Sequence, residues 1–570
     1  MAVYRSDQAQ LTFGSETTPG AYPELASGAV LASGTVVNGV TTAAVPTGSS
    51  NFTISASGTT GSFVANVDIR IGPGVNGTGT TAESEVRRVI HVEGSPQVLY
   101  LDAPTAFSHP AGVDVDTVAS ITAVQNDMYI TQVPGVYDTV DVPDPDMTIE
   151  PRYFLGTNSK RNYAIALRGQ QSYTGSVAGI VLLDGKALRF PFGKVVTHTA
   201  NSAAFSTAIT LGANTVKGDV FVPVASSALS IAIGDLVVFG YVATAQSTSV
   251  MEVRKAVNAI SSGTTGTLQL DNPLQFAHSS ADALRKMAAS PTYTHHIYET
   301  VDLDTVSWHV HMKDSSETAQ NNFDRRYYGG LIGSASISAD EGGMVSVSWD
   351  GVNFQGMKHN QLFKTNTTTY IPHAGLMSTI DSNDVVFPTN QPYFFSQGSV
   401  TMFGQEIARI RSFNITVSNG EEPRYYINKR LGDKRGPSEI REGRREYSMS
   451  ATLALPDSQS NQATGTTLFK ELLLEGGAGQ LGFDIVVTFT RGTDDSITIH
   501  IPGNEDTANA QISSAAGIGS TGANEGLWQS GAIIRTAPHS ITGDNPVQVD
   551  ADILFRNIKI EINDSEYYYP

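Results

Sequence analysis

His295, His296, His309 and His311 are the densest grouping of potential metal ligands in the chain. On a strand, His309 and His311 would share one face. A hairpin could bring His295 or His296 opposite them, the raw material of a zinc site. Trp308-His309-Val310-His311 carries no carboxylate, although Asp302, Asp304 and Asp314 lie close by. The reading is therefore half-exposed strand histidines and no metal. Gly517-Ile518-Gly519-Ser520-Thr521-Gly522 has the GxGxxG spelling. A dinucleotide site also needs a strand before it, a helix after it and an acidic residue about 20 positions on. The small, polar, Gly-rich surroundings predict a loop instead, and no cofactor. Gly175-Ser176-Val177-Ala178-Gly179 is not a nucleophile elbow, because the serine follows the first glycine directly. Cysteine is absent, which excludes thiol catalysis, disulfide scaffolds and cysteine-based zinc sites. No P-loop and no HExxH occurs, and no carboxylate pair is marked out for glycoside hydrolysis. The three tryptophans, Trp308, Trp349 and Trp528, are too scattered for a sugar platform. No catalytic, cofactor-binding or metal residue is assigned, and the expectation is a protein that is not an enzyme.

The elements around these residues are strands. The chain has 570 residues and a net charge of −19, enough length for several domains. With 16% charged and 40% apolar residues, it is not a disordered polyanion. No apolar run approaches the roughly 18 residues of a spanning helix, so no membrane partner is expected. The opening Met-Ala-Val-Tyr-Arg-Ser-Asp lacks the apolar core of a signal peptide. Short alternating runs rich in Ser, Thr, Gly, Val and Ala recur about every 8–15 residues, the spacing of sandwiches and barrels. Over 62–71, Phe63, Ala65, Val67, Ile69 and Ile71 share a face; over 412–417, Phe413, Ile415 and Val417 do. The one helical pattern is 467–475, stopped by Gly476-Gly477.

Two internal repeats organise the chain. Glu85-Val86-Arg87-Arg88 returns as Glu252-Val253-Arg254-Lys255, 167 residues on (85 to 252). Leu101-Asp102-Ala103-Pro104 and Phe107-Ser108-His109 return as Leu270-Asp271-Asn272-Pro273 and Phe276-Ala277-His278, 169 on (101 to 270). Upstream, Val67-Asp68-Ile69-Arg70-Ile71 aligns with Gly234-Asp235-Leu236-Val237-Val238, at 167 (67 to 234). This order predicts a duplicated small β-barrel. In the second repeat, Glu150-Pro151-Arg152-Tyr153-Phe154 returns as Glu422-Pro423-Arg424-Tyr425-Tyr426, 272 on (150 to 422). Gly169 and Tyr173 return as Gly443 and Tyr447, 274 on (169 to 443). A basic segment lies between the anchors each time. The pair predicts two related β-sandwiches, with Arg152 and Arg424 at equivalent inter-domain contacts.

These stretches resemble a tailed-phage tail tube protein. The resemblance rests on 150–179, on Asn322-Phe323-Asp324-Arg325-Arg326-Tyr327-Tyr328-Gly329-Gly330 leading into Ser334-Ala335-Ser336-Ile337-Ser338, and on 412–455 with the helix after it. It covers about half the chain. It implies a β-sandwich with one flanking helix, whose long strands join those of neighbouring subunits around a closed channel. Rings of this family usually hold six such domains, so two per chain imply a trimeric ring with pseudo-sixfold symmetry, with a hexamer as the alternative.

The expected fold is all-β: two tube-type β-sandwich domains, each with at most one flanking helix, plus two small inserted β-barrel modules. The expected parts are an arm and first strand at 1–28, a module at 29–120, tube domain 1 at 121–198 and 291–372, a second module at 199–290, and tube domain 2 at 373–570. The resemblance implies a virion tail subunit assembled in the host cytoplasm from copies of itself. Its neighbours would be tape measure, terminator and baseplate proteins, with double-stranded DNA passing through without specific binding. Net negative charge suits that role, since carboxylates deny phosphates the cations that drive DNA binding. Asp138, Asp141, Asp144 and Asp146 are read as a solvated turn broken by Pro143 and Pro145. A baseplate hub or distal tail ring shares the duplicated sandwich, and a carbohydrate-binding or carbohydrate-cleaving sandwich is the reading from another class.

Overall fold

The computed structural model describes residues 9–564 apart from short segments and these longer ones: 21–28, 73–84, 122–132, 154–164, 200–208, 241–250, 313–322, 373–389, 427–435, 455–483, 503–531 and 541–547. The regular structure of the described residues is almost entirely antiparallel strand. Alternation is the cause: in Ile410–Ser418, Phe413, Ile415 and Val417 point into the core while Asn414 is exposed. The only α-helix among them is Arg189–Phe192, entered through a 3-10 turn at Lys186–Leu188. The helix predicted at 467–475 lies outside the described residues, as does the Gly517–Gly522 loop.

The largest sheet runs Pro145–Arg152, Ile165–Val181, Ser346–Asn353, Phe323–Asp340, Ile410–Ser418, Glu446–Ala454, Gln548–Phe555, Ile533–Thr536. Its first four strands and its last four are copies, here called unit 1 and unit 2. Tyr173 stands opposite Pro145, and Tyr447 opposite Val417. The two leading strands therefore repeat at 272 (145 to 417) and 274 (173 to 447), the offsets of the sequence repeat. Ser334 stands opposite Asp350, and Thr536 opposite Asp552. The two trailing strands thus repeat at 202 (334 to 536, 350 to 552). The units are fused edge to edge by seven residue pairs, from Ser334 with Ser418 to Asp340 with Ser412.

A second sheet lies behind the first, ordered Lys194–Thr199, Tyr293–Tyr298, Lys559–Asp564, Asp495–Ile501, Ile485–Gly492, Gly398–Met402, Gln405–Glu406. One apolar core, reaching from Leu11 to Ile562, joins both sheets and both units. Across it Phe413 and Phe489 stack at 6.0 Å, and the buried Trp308 and Trp349 stack at 6.3 Å. The N-terminal strand Ala9–Ser15 pairs with Val306–Met312 and drives Leu11 and Phe13 into this core. Its end is pinned by Glu16. That buried carboxylate accepts the N–H groups of Gly20 (2.7 Å) and Gly329 (2.8 Å) and the Ser307 hydroxyl.

Two further sheets are small barrels with cores of their own. The first runs Asn38–Val40, Asp114–Ile121, Val67–Ile71, Glu85–Glu93, Val98–Leu101, Asn51–Thr53 and closes through a Thr41–Ile54 bridge. The second runs Ile209–Thr210, Ala283–Lys286, Leu236–Phe239, Glu252–Ser262, Thr265–Leu270, Phe221–Val224 and closes through Leu211–Val224. Six strands correspond one to one; Ala29–Leu31, which also pairs with Asp114–Ile121 in the first barrel, has no counterpart among the described residues of the second. One register is corrected: Ile69 faces Arg87 and Val237 faces Arg254, so this strand repeats at 168 (69 to 237), not 167. A one-residue slip would send every side chain to the wrong face. The predicted strand over 62–71 is also shorter, Val67–Ile71. Phe63 is still buried, because the Gln97 amide binds its backbone N–H and C=O, each at 3.1 Å, while Val64 and Ala65 are exposed. The second barrel grows from the end of a hairpin, since Thr199 lies directly opposite Tyr293.

Candidate assembly surface

Each unit leads with a hairpin. In unit 2, Ile410–Ser418 continues into Glu422–Arg424, which returns through Glu439–Arg441 to Glu446–Ala454. Near the tips, Glu150 faces Leu167 and Arg152 faces Ile165, while Glu422 faces Arg441 and Arg424 faces Glu439. Arg152 and Arg424 thus hold equivalent register positions. Each guanidinium binds the carboxylate two residues earlier, Glu150 at 2.6 Å and Glu422 at 2.5 Å, on the same strand face. The four side chains are largely exposed, so these pairs orient the arginines and add little stability.

The repeated glycine has a steric cause. A Cβ on Gly169 would come within 3.1 Å of the Thr148 carbonyl oxygen, and one on Gly443 would collide with that of Gly420. At this crossing the two backbones approach more closely than side chains permit, and Gly420 adds a φ of 59°. Beyond it each hairpin becomes a separate two-stranded ribbon: residues 149–152 with 165–168 in unit 1, and Glu422–Arg424 with Glu439–Arg441 in unit 2.

The ribbons differ in what covers them. Ribbon 2 lies on unit 1: Ile440 is buried against Leu303 and Leu331, and the Tyr425 hydroxyl donates to the Gln171 carbonyl at 3.1 Å. Ribbon 1 is bare. Ile149 and Tyr153 are each 60% exposed, Ile165 50% and Leu167 48%. Grouped apolar exposure of this kind marks an interaction surface.

At the base of ribbon 2 the polar groups are enclosed. The Asn419 amide donates to the carbonyls of Ile332 (2.8 Å) and Pro191 (3.2 Å) and accepts Arg445 Nε at 2.9 Å. Burial, with the Glu442 charge adding to it, pushes the Glu421 carboxyl up to about 8, against the Asn353 amide that donates to it at 3.0 Å. Glu421 is therefore protonated at neutral pH. The Tyr447 phenol is also pushed up, chiefly by burial.

The two ends of the large sheet differ in charge. At the unit 1 end, the expected solvated turn is instead two strands, Thr139–Asp141 and Pro145–Arg152, with Asp141, Asp144 and Asp146 exposed and Asp144 bound by Arg325. At the unit 2 end, Ile533–Thr536 presents exposed Arg535, bound to Asp552, with exposed Arg556 nearby.

The histidines do not converge. His295 and His296 sit in the second sheet, His309 and His311 in the first. His295 is buried with Nε2 at 3.2 Å from Asp564, not half-exposed as expected. Burial, then the neighbouring His295, pushes His296 down to about 4. His309 is buried too, and no metal-holding cluster occurs among the described residues. Ser176 lies inside the long strand Ile165–Val181. Trp308 and Trp349 are fully buried and offer no sugar platform. One constellation escaped the sequence reading. Glu85 binds Arg87 at 2.7 Å and His109 at 2.8 Å, all three buried in the first barrel. Its signal was available: the repeated Glu-x-Arg and histidine return as Glu252, Arg254 and His278, of which Arg254 and His278 are buried in the second barrel. A buried ion pair of this kind adds little net stability, because the cost of desolvating both charges offsets their attraction.

A family model described as phage tail tube protein matches residues 158–553. No curated protein matches the chain.

Proposed function

The chain belongs to the phage tail tube protein family, a structural component of the virion tail, and from that premise we propose that it polymerises into stacked rings around the channel through which DNA passes during infection. The observation that carries this reading is the fusion of two equivalent four-strand units in one sheet whose end strands, among the described residues, are paired on one side only. The internal seam is a template. Transferred by the repeat offsets, it sets Thr536 of one copy opposite Asp146 of the next, as Ser334 sits opposite Ser418. Closure removes the edge strands, which in a free sheet template aggregation. Three chains then supply the six units of a ring. Acidic Asp146 lies beside basic Arg535 across each seam between copies. Pro143, Pro145 and Pro538 lack N–H donors, so that seam carries fewer ladder hydrogen bonds than the internal one.

In this reading the two barrels, over 29–120 and 199–290, stand on the outer wall, where they leave the lumen open. Arg152 and Arg424 lie at contacts between neighbouring units. The role is structural, assembly takes place in the host cytoplasm, and the other contacts are with tape measure, terminator and baseplate proteins. The net charge of −19 favours passage over retention of DNA. Negative-stain electron microscopy of the purified protein tests the proposal. Stacked rings with threefold top views support it; closed rings that never stack indicate a hub or distal ring, and dispersed monomers refute assembly.

A further inference from the structure

We propose that ribbon 1 is a clasp that crosses the seam and lies on unit 2 of the next copy, as ribbon 2 lies on unit 1 within the chain. The inference rests on the ring reading and names the contact that holds it. The internal template has two parts, Ile440 against Leu331 and the Tyr425 hydroxyl on the Gln171 carbonyl. The backbone at Gly436 also lies against the Gln355 carbonyl.

The repeat offsets carry each part to a defined place. Tyr425 becomes Tyr153 (272 back), and Ile440 becomes Ala166 (274 back). On the receiving side Gln171 becomes Arg445 (274 on), Leu331 becomes Ile533 (202 on), and Gln355 becomes Arg556 by the 201 that relates Phe354 to Phe555. On ribbon 1, Tyr153 and Ala166 are exposed, and Ile149 beside them shares their face. On the receiving side, Ile533 is half-buried and Arg556 exposed. Both halves of the contact are thus present in one chain at opposite ends of the sheet, the condition for a head-to-tail contact that closes into a ring. Charge agrees, with carboxylates Asp141 and Asp146 on the clasp side and Arg535 and Arg556 on the receiving side. The Tyr153 hydroxyl donates to the Arg445 carbonyl of the next copy, while Ile149 and Ala166 cover its Ile533.

The cysteine-free sequence permits a direct test. Tyr153→Cys is combined with Arg444→Cys, a position 89% exposed by its side chain and adjacent to Arg445. Assembled protein is treated with a short bis-maleimide and run on a denaturing gel. The expected result is a ladder up to three linked chains. The same treatment of Tyr425→Cys with Gln170→Cys gives bridged single chains. Rings or tubes that form without the ladder overturn the clasp and leave the ring reading standing. Failure of the unmodified chain to form rings overturns both. As a second variant, Tyr153→Phe removes only the hydroxyl and is expected to raise the assembly concentration several-fold with an unchanged fold; an unchanged assembly concentration counts against the hydrogen bond.

Discussion

Truncating Ile440 to alanine tests the template from which the assembly contact is drawn. An isolated two-stranded ribbon is marginal in water, so ribbon 2 owes its order to docking. Ile440 is the apolar part of that docking, 9% exposed and packed on Leu303 and Leu331. Removing a buried isoleucine down to its Cβ costs about 2–5 kcal/mol. With two apolar partners at the sheet margin, the low end applies, about 2 kcal/mol. The loss falls on local opening of the ribbon rather than on global unfolding. Since about 1.4 kcal/mol is a factor of ten, native-state exchange of the amides at 438–441 should accelerate roughly 30-fold. The amide of Ser438, bonded to the Arg424 carbonyl at 2.8 Å, is the most direct reporter. Amides of Glu446–Ala454, in the central sheet, should keep their rates. Unchanged exchange at 438–441 would refute docking as the source of order. Acceleration spread through Glu446–Ala454 would refute the independence of the ribbon.

Gly443→Ala should destabilise the chain more than Gly169→Ala, by about 1–3 kcal/mol against less than 1, because its Cβ would collide with the Gly420 carbonyl, whereas that of Gly169 stops 3.1 Å from the Thr148 carbonyl; midpoints in urea compare them. Glu421 is held near 8 in the fold against 4.5 when exposed, so its contribution is full below about pH 4.5 and is lost as pH rises through 8. Glu421→Gln should match the parent at pH 4.5 and exceed it at pH 9; equal thermal midpoints at pH 9 would contradict the assignment. Arg152→Glu should impair ring and tube formation while circular dichroism stays unchanged, and normal tubes from that variant would remove Arg152 from the interface. Replacing 199–290 by a short turn should leave tubes of smaller outer diameter, because Thr199 and Tyr293 are already cross-strand neighbours; loss of soluble protein would show the barrel to be integral.

The leading hairpins and the barrels are legible in the sequence because geometry constrains identity there. Gly169 and Gly443 answer a close backbone crossing, and Glu85, Arg87 and His109 must find one another in a dry core. The trailing strands of each unit are not legible as copies. Their positions ask only for alternation, so Trp349 and Ala551 satisfy equivalent sites. The docking of ribbon 2 is also silent, because Tyr425 binds a backbone carbonyl that any residue at 171 would supply. The histidines mislead for the opposite reason: neighbours in sequence are split between two sheets, because Tyr293–Tyr298 and Val306–Met312 are consecutive strands of different sheets.

The hairpin from which the second barrel hangs has a mechanical meaning. Its two attachment points, Thr199 and Tyr293, are bonded to each other through the sheet, so tension along a filament would travel across that rung and bypass the barrel. The barrel is a side branch off the load path. It can be pulled, unfolded or exchanged for another domain without lengthening the strands that bear force. The Phe323–Asp340 strand has no such shelter: it meets strands of both units, so in the proposed tube a bending load would pass through it.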